Sequence, residues 1–271
     1  MTLDFARQRA ARADAPTDQA DGLRRMFGGG QAVLVPVVAN PYVEHHGALL
    51  ARVAGTFAER GFNTLVVDAA DTAPEPGELA FLDLASCVEP LAPRLAYLAA
   101  RGLPMQSVDT HGSCARFIPK MTGLVPDIDV VVLHAEVRVL CRMLGQRELR
   151  PVLLASASTE SIKHAYAALK MLSQRLGLMS FDLVVPTSRR GQPSPQQLAD
   201  RVSDCADRFL GAALRDWAAV DPQLTIGQPA GIDLARLAAG QIELAHPAGA
   251  VHAPLARTAR RSSVNNTPLF V

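Results

Sequence analysis

The stretch "AVLVPVVANPYVEHHGALLARVAGTFAERGFNTLVVDAAD", Ala32 to Asp71, decides the fold. Residues 32–39 form a short apolar run, the mark of a strand buried on both faces. Residues 47–61 set Leu50, Val53, Ala54 and Phe57 at helical spacing and stop at Gly61, a residue suited to the position after a helix. Residues 63–71 return to β-branched character and end in acids. Strand, helix and strand in 40 residues make a βαβ unit, whose strands lie parallel.

The same alternation continues downstream. "DIDVVVLHAE" (127–136), "RPVLLASAS" (150–158) and "SFDLVVPTS" (180–188) read as further strands. "STESIKHAYAALKMLSQRLG" (158–177) opens on a Ser/Thr cap and carries Ile162, Ala165, Tyr166, Leu169 and Leu172 down one face. "SPQQLADRVSDCADRFLGAAL" (194–214) begins with Ser194 as cap and Pro195 at the first helical position. The passage 84–102 reads as a helix interrupted by Pro90 and Pro93, 105–109 as an edge strand, and 222–227 as a last strand. The expected architecture is α/β: a doubly wound, mainly parallel sheet covered on both faces. It forms one domain over residues 31–258, between a flexible N-terminal arm (1–30, closing in "GGG" at 28–30) and a loose tail (259–271).

Composition narrows the function. Apolar residues make up 49% of 271, enough for a large core, and no apolar run is long enough to span a bilayer. No basic and apolar leader precedes a small-residue cleavage site, so the cytoplasm is the expected location. Cys87, Cys114, Cys141 and Cys205 are far apart and read as reduced residues, not as a disulfide frame or zinc site. A net charge of +1 gives no nucleic-acid footprint. Lysine occurs only at Lys120, Lys163 and Lys170.

That last fact bears on the first strand-to-helix turn, "NPYVEHHG" (40–47). A phosphate-binding loop there needs glycines for close backbone approach, a lysine for the β- and γ-phosphates, and a hydroxyl for Mg²⁺. With no lysine before Lys120, no register supplies one, and "GGG" precedes the strand instead of following it.

Three passages nonetheless resemble the MinD/ParA group of deviant Walker ATPases, and within it the flagellar number regulator FlhG (FleN, YlxH). "DQADGLRR" (18–25) resembles the FlhG segment D-Q-A-x-x-L-R, which in that family activates the GTPase FlhF. "FAERGFNTLVVDAAD" (57–71) resembles the passage from helix through glycine to D-x-D. "STESIKHAYAALKMLSQR" followed by "FDLVVPTSR" resembles the family's P-T-S-I-x-x-A-Y-A-x-x-K helix and L-L-V-N-R strand. The resemblance implies a P-loop NTPase-like fold of MinD/ParA type. Counting from Gly61, it places the deviant lysine at Pro41, the principal lysine at His46 and the Mg²⁺-binding hydroxyl at Gly47, with His45 replacing a glycine. The Walker B aspartate falls on His134 and the adenine-contacting asparagine on Pro186. The D-x-D pair keeps Asp68 but has Ala70 as its second member, unless Asp71 stands in.

The implied reading is a pseudo-ATPase with no catalytic residues and no metal, for which ATP/Mg binding is not expected. Its arm (Asp18, Gln19, Ala20, Leu23, Arg24) would engage an FlhF-like SRP-type GTPase; other flagellar regulators or basal-body components are further candidate partners. Two alternatives stand beside it. One is a MinD-like regulator in cellulose synthesis or partition. The other is an enzyme or metal-binding protein using His45, His46, Asp68, His134 and Glu136, although no H-x-H or H-x-x-x-H spacing supports chelation. His111 and Cys114 lack an identifiable third partner for a nucleophilic site. FlhG and MinD proteins end in an amphipathic membrane-targeting helix. Here the C-terminal stretch contains Pro247 and Pro254 and its apolar side is mostly alanine, so membrane association is not expected.

Overall fold

In the computed structural model, residues 32–125, 127–145, 147–187 and 191–245 are described, and the arm and tail fall outside them. The first βαβ unit forms as read. β1 (Val33–Val38) leads through a tight turn into α1 (His46–Glu59), and β2 (Thr64–Asp68) follows. After it come β3 (Glu89–Ala92), β4 (Leu95–Ala99), α2 (Phe117–Thr122), β5 (Val130–Ala135), α3 (Val137–Leu144) and β6 (Val152–Leu154). Next are α4 (Thr159–Leu176), β7 (Ser180–Pro186), α5 (Pro195–Leu210), β8 (Ala213–Val220) and α6 (Ile232–Ala245).

The eight strands form one sheet in the order β3-β4-β2-β5-β1-β6-β7-β8. Every pairing is parallel except β3 with β4. β1 sits centrally, paired from Val33↔Val130 to Val38↔Ala135 on one side and through Val37↔Val152 on the other. Alternate residues feed two cores. Leu65, Val67, Val131 and Leu133 pack under α2–α5, while Val66, Val130 and Val132 pack with Leu49, Val53 and Phe57 of α1 and Leu237 of α6. Both faces are therefore apolar, which is why the strands read as continuous hydrophobic runs.

Three expectations fail. Residues 84–102 are not a helix: a 3₁₀ turn (Ala85–Cys87) leads into the β3–β4 hairpin, which turns at Pro93 and Arg94. Arg94 takes φ 62. Two prolines three residues apart cannot sit in a helix interior, whereas an edge strand tolerates Pro90. Residues 105–109 are not a strand, because Gly102 at φ 74 starts a 3₁₀ turn over Leu103–Ser107. Residues 222–227 are turns, held by the buried Arg52 of α1, which donates to the carbonyls of Thr225 (3.0 Å), Gln228 (2.7 Å) and Pro229 (3.0 Å). The last strand is instead β8, whose first residues were assigned to the preceding helix. Gly211 at φ 64 ends α5 after Leu210 and frees that segment.

Candidate functional site

The candidate residues assemble at the carboxyl ends of β1, β2, β5 and β7, the edge where parallel α/β sheets bind ligands. The turn after β1 is braced from beneath. Asn40 is buried, and its amide donates to the carbonyl of Leu154 (2.8 Å), the carbonyl of Ser161 (3.0 Å) and the hydroxyl of Ser161 (3.0 Å). Its carbonyl oxygen accepts from the N–H of Tyr42 at 3.1 Å. The Ser156 hydroxyl donates to the Tyr42 carbonyl (3.1 Å), and His164 Nε2 lies 3.1 Å from the Ala39 carbonyl. The loop is thus fixed to β6 and α4 by side chains.

Pro41, Tyr42 and His45 are exposed on the rim. His45 adopts φ 57, ψ 28 just before α1, with no side-chain bond capping the helix. His46 opens α1 and is half-buried, and Gly47 after it is exposed. A side chain at Gly47 would meet nothing within 4 Å, so there is room for a hydroxyl residue that this chain lacks.

Beneath His46 lies the centre of the site. Asp68 at the end of β2 and His134 in β5 are register partners. Asp68 Oδ1 and His134 Nδ1 are 2.8 Å apart, and the two residues are 6% and 0% exposed. An ionised carboxylate only accepts, so in this contact Nδ1 is the donor. Tyr97 of β4 reaches Asp68 Oδ2 at 3.2 Å, and burial, then the Asp68 charge, push its phenol well above the ordinary value. The His46 and His134 rings stack with centroids 6.1 Å apart at 28°. Asp71 donates its backbone N–H to Glu136 Oε1 at 2.7 Å. Neither His134 Nε2 nor Glu136 Oε2 has a hydrogen-bond partner among the described residues.

The expected set is therefore brought together in part. His46, Asp68 and His134 form one packed unit, with Gly47 at its edge, while Pro41 and His45 stay on the rim. Pro186 ends β7 and, together with His45, lines a cleft of about 340 Å³, which Tyr42, Ser156, Ser158 and Thr187 also border. No lysine or arginine among the described residues lines that cleft. Ala70 offers no side chain, and its N–H donates to Asp68 Oδ1 at 3.3 Å. No three His, Cys, Asp or Glu side chains among the described residues gather as a metal-holding group. Sequence reasoning missed Asn40, Tyr97, Ser161 and His164. Asn40 alone carried a signal, a buried-type position between an apolar strand and Pro41. Chemically, the centre presents carboxylates and a desolvated imidazole, whereas a phosphate site presents cations.

α6 turns Leu234, Leu237, Ala238 and Gln241 into the core, so its apolar side is occupied. No helix among the described residues is long and apolar enough to cross a membrane.

No family model and no curated protein matches the sequence. Solved structures do. The cell division protein MinD of Aquifex aeolicus superposes with TM-score 0.51 at 12% identity, over 77% of this chain and 97% of that one. A plasmid partition protein of Borrelia burgdorferi, bound to AMPPNP, gives 0.51 at 10%, over 79% and 98%. Cobyrinic acid a,c-diamide synthase of Mycobacterium smegmatis gives 0.52 at 13%, over 79% and 94%. At these identities the likeness establishes the fold, that of the MinD and partition proteins.

Proposed function

We propose that this chain is a non-catalytic regulator of FlhG type, which keeps the MinD/ParA fold and acts through protein contacts. The observation that carries the reading is the buried Asp68–His134 pair under His46. It fills with acid and imidazole the place where a Walker ATPase would hold lysine, phosphate and magnesium. Histidine is shorter than lysine, so His46 does not match the reach of the lysine that the resemblance would place there. The second support is the arm, where Asp18, Gln19, Ala20, Leu23 and Arg24 resemble the segment that activates FlhF. An arm that folds onto its partner suits this composition, since apolar residues follow a polar lead-in and precede a glycine hinge. In this reading the protein controls flagellar biosynthesis or number by stimulating an FlhF-like GTPase. It is reached in the cytoplasm, with recruitment to the pole or membrane through partners.

GTP turnover by purified FlhF, measured with and without the full-length chain, tests this. Stimulation is expected, and Gln19→Ala/Arg24→Ala is expected to remove most of it. Unchanged turnover, or equal stimulation by the double variant, overturns the flagellar reading. A role in partition or cellulose synthesis uses the same fold without this activity, and would then be preferred.

A further inference from the structure

Charge is unevenly distributed along the chain. Residues 32–100 carry eight acids and three arginines, whereas residues 101–176 carry ten lysines and arginines against six acids. The fold places part of each excess side by side over one layer. Ala80, Leu84 and Cys87 of the acidic stretch and Phe117, Leu140 and Met143 of the basic one pack on the same core.

Each excess is paired with apolar surface. The acidic patch exposes Glu78, Asp83 and Glu89 around Leu79 (59%), Leu82 (87%) and Leu91 (45%). The basic patch exposes Arg116, Lys120, Arg138 and Arg142 around Met105 (41%) and Val108 (37%). Five of the eleven large exposed apolar side chains among the described residues thus fall within residues 79–108, which marks a surface built to be covered. The basic patch is contiguous. Arg142 Nη1 lies 3.6 Å from the Met105 sulfur, the Arg142 carbonyl accepts from Cys114 N–H at 2.9 Å one turn before α2, and Lys120 Nζ is 3.4 Å from Ser107 Oγ. Among the described residues none of these seven charged groups forms an ion pair.

We infer that this face binds a second copy of the chain. The acidic leucine segment at residues 78–91 of one copy would seat on Met105, Arg138 and Arg142 of the other. Because the two patches are adjacent, a two-fold axis between them makes both contacts at once, the closed isologous arrangement of most homodimers. The leucines supply the buried area, and the opposed charges set register and orientation. The interface lies over the helical layer of α2 and α3.

Sedimentation velocity of the full chain at about 1–100 µM tests the inference. Dimer is expected in 50 mM NaCl, with Kd about tenfold weaker in 500 mM as rim charges are screened. Arg138→Glu/Arg142→Glu and Asp83→Arg/Glu89→Arg should each give monomer, and their equimolar mixture should recover dimer, because the new acids of one variant meet the new arginines of the other. Leu82→Ser should weaken the dimer at least about tenfold without changing the circular dichroism spectrum. A monomer at every concentration, a dimer insensitive to the reversals, or a mixture that fails to recover overturns it. So does a monomeric wild type whose Arg138 and Arg142 are instead needed to retain a 30-bp duplex or phosphatidylserine vesicles.

Discussion

At the scale of single residues, the strand-end site differs from a phosphate loop in what holds the turn. In a phosphate loop, backbone N–H groups aim outward at an anion. Here Asn40 anchors the turn inward: the two N–H groups of its buried amide reach three oxygens, of Leu154 and Ser161, and its Oδ1 accepts from Tyr42 N–H. Removing it takes a donor from the Leu154 carbonyl and the Ser161 hydroxyl and frees the Tyr42 N–H. Asn40→Ala should therefore cost about 2–3 kcal/mol of stability, read by urea denaturation. It should also speed hydrogen exchange at residues 41–46 selectively; a uniform increase over the sheet would mean Asn40 acts only through global stability. That the turn holds no lysine, serine or threonine is legible in the sequence, since residue identity alone reveals it. The bracing by Asn40, Ser161 and His164 was not, because those contacts join positions more than 100 residues apart. Likewise the Asp68–His134 pair follows from a parallel register that no local pattern specifies.

At the scale of elements, β6, β7, β8 and α6 are tied by one buried carboxylate. Asp182 of β7 is 0% exposed, 2.9 Å from Arg150 Nε and 2.8 Å from Gln241 Nε2 of α6, and its Oδ1 accepts from Asp216 N–H of β8 at 3.1 Å. Desolvation pushes its carboxyl up to about 6, against the opposing pull of Arg150 and Gln241. An acid whose folded pKa lies above its unfolded value binds its proton more tightly when folded. Stability from this group therefore rises as pH falls through 6 toward 4, by up to about 3 kcal/mol, and is lost above 6. Between pH 7.5 and 5 the melting temperature of the wild type should climb relative to Asp182→Asn, which lacks the titrating group. Parallel curves for the two proteins would refute this. Element existence was readable wherever period and caps agreed, as in α4 and α5 with their serine caps. It was misread at the sheet edges. There β3 and β4 carry helix-like leucine and alanine, and β8 spends its polar residues on Arg236, which grips Asp216 at 2.7 Å and Asp233 at 2.8 Å. Edge strands see solvent and loops, so neither alternation nor a continuous apolar run marks them.

At the scale of the whole molecule, the shared fold and the altered site make opposite forecasts about nucleotide. A ligand that binds only the folded state stabilises it by RT ln(1 + [L]/Kd), so about 5 mM Mg·ATP acting on a site with Kd near 50 µM adds about 2.7 kcal/mol. For a domain of this size that raises the melting temperature by roughly 5–10 °C. The strand-end centre instead holds Asp68, Glu136 and a buried imidazole, with His46 and Gly47 at the entrance and no lysine before residue 120. Bringing a polyphosphate there sets like charges together and leaves its own charge unpaired. The melting temperature should accordingly move by less than about 1 °C at 5 mM Mg·ATP. His46→Lys/Gly47→Thr should not rescue binding, because the Asp68–His134 pair beneath remains intact. A wild-type shift of several degrees would show that the fold still takes the nucleotide through groups other than lysine, and the non-catalytic reading would fall with it.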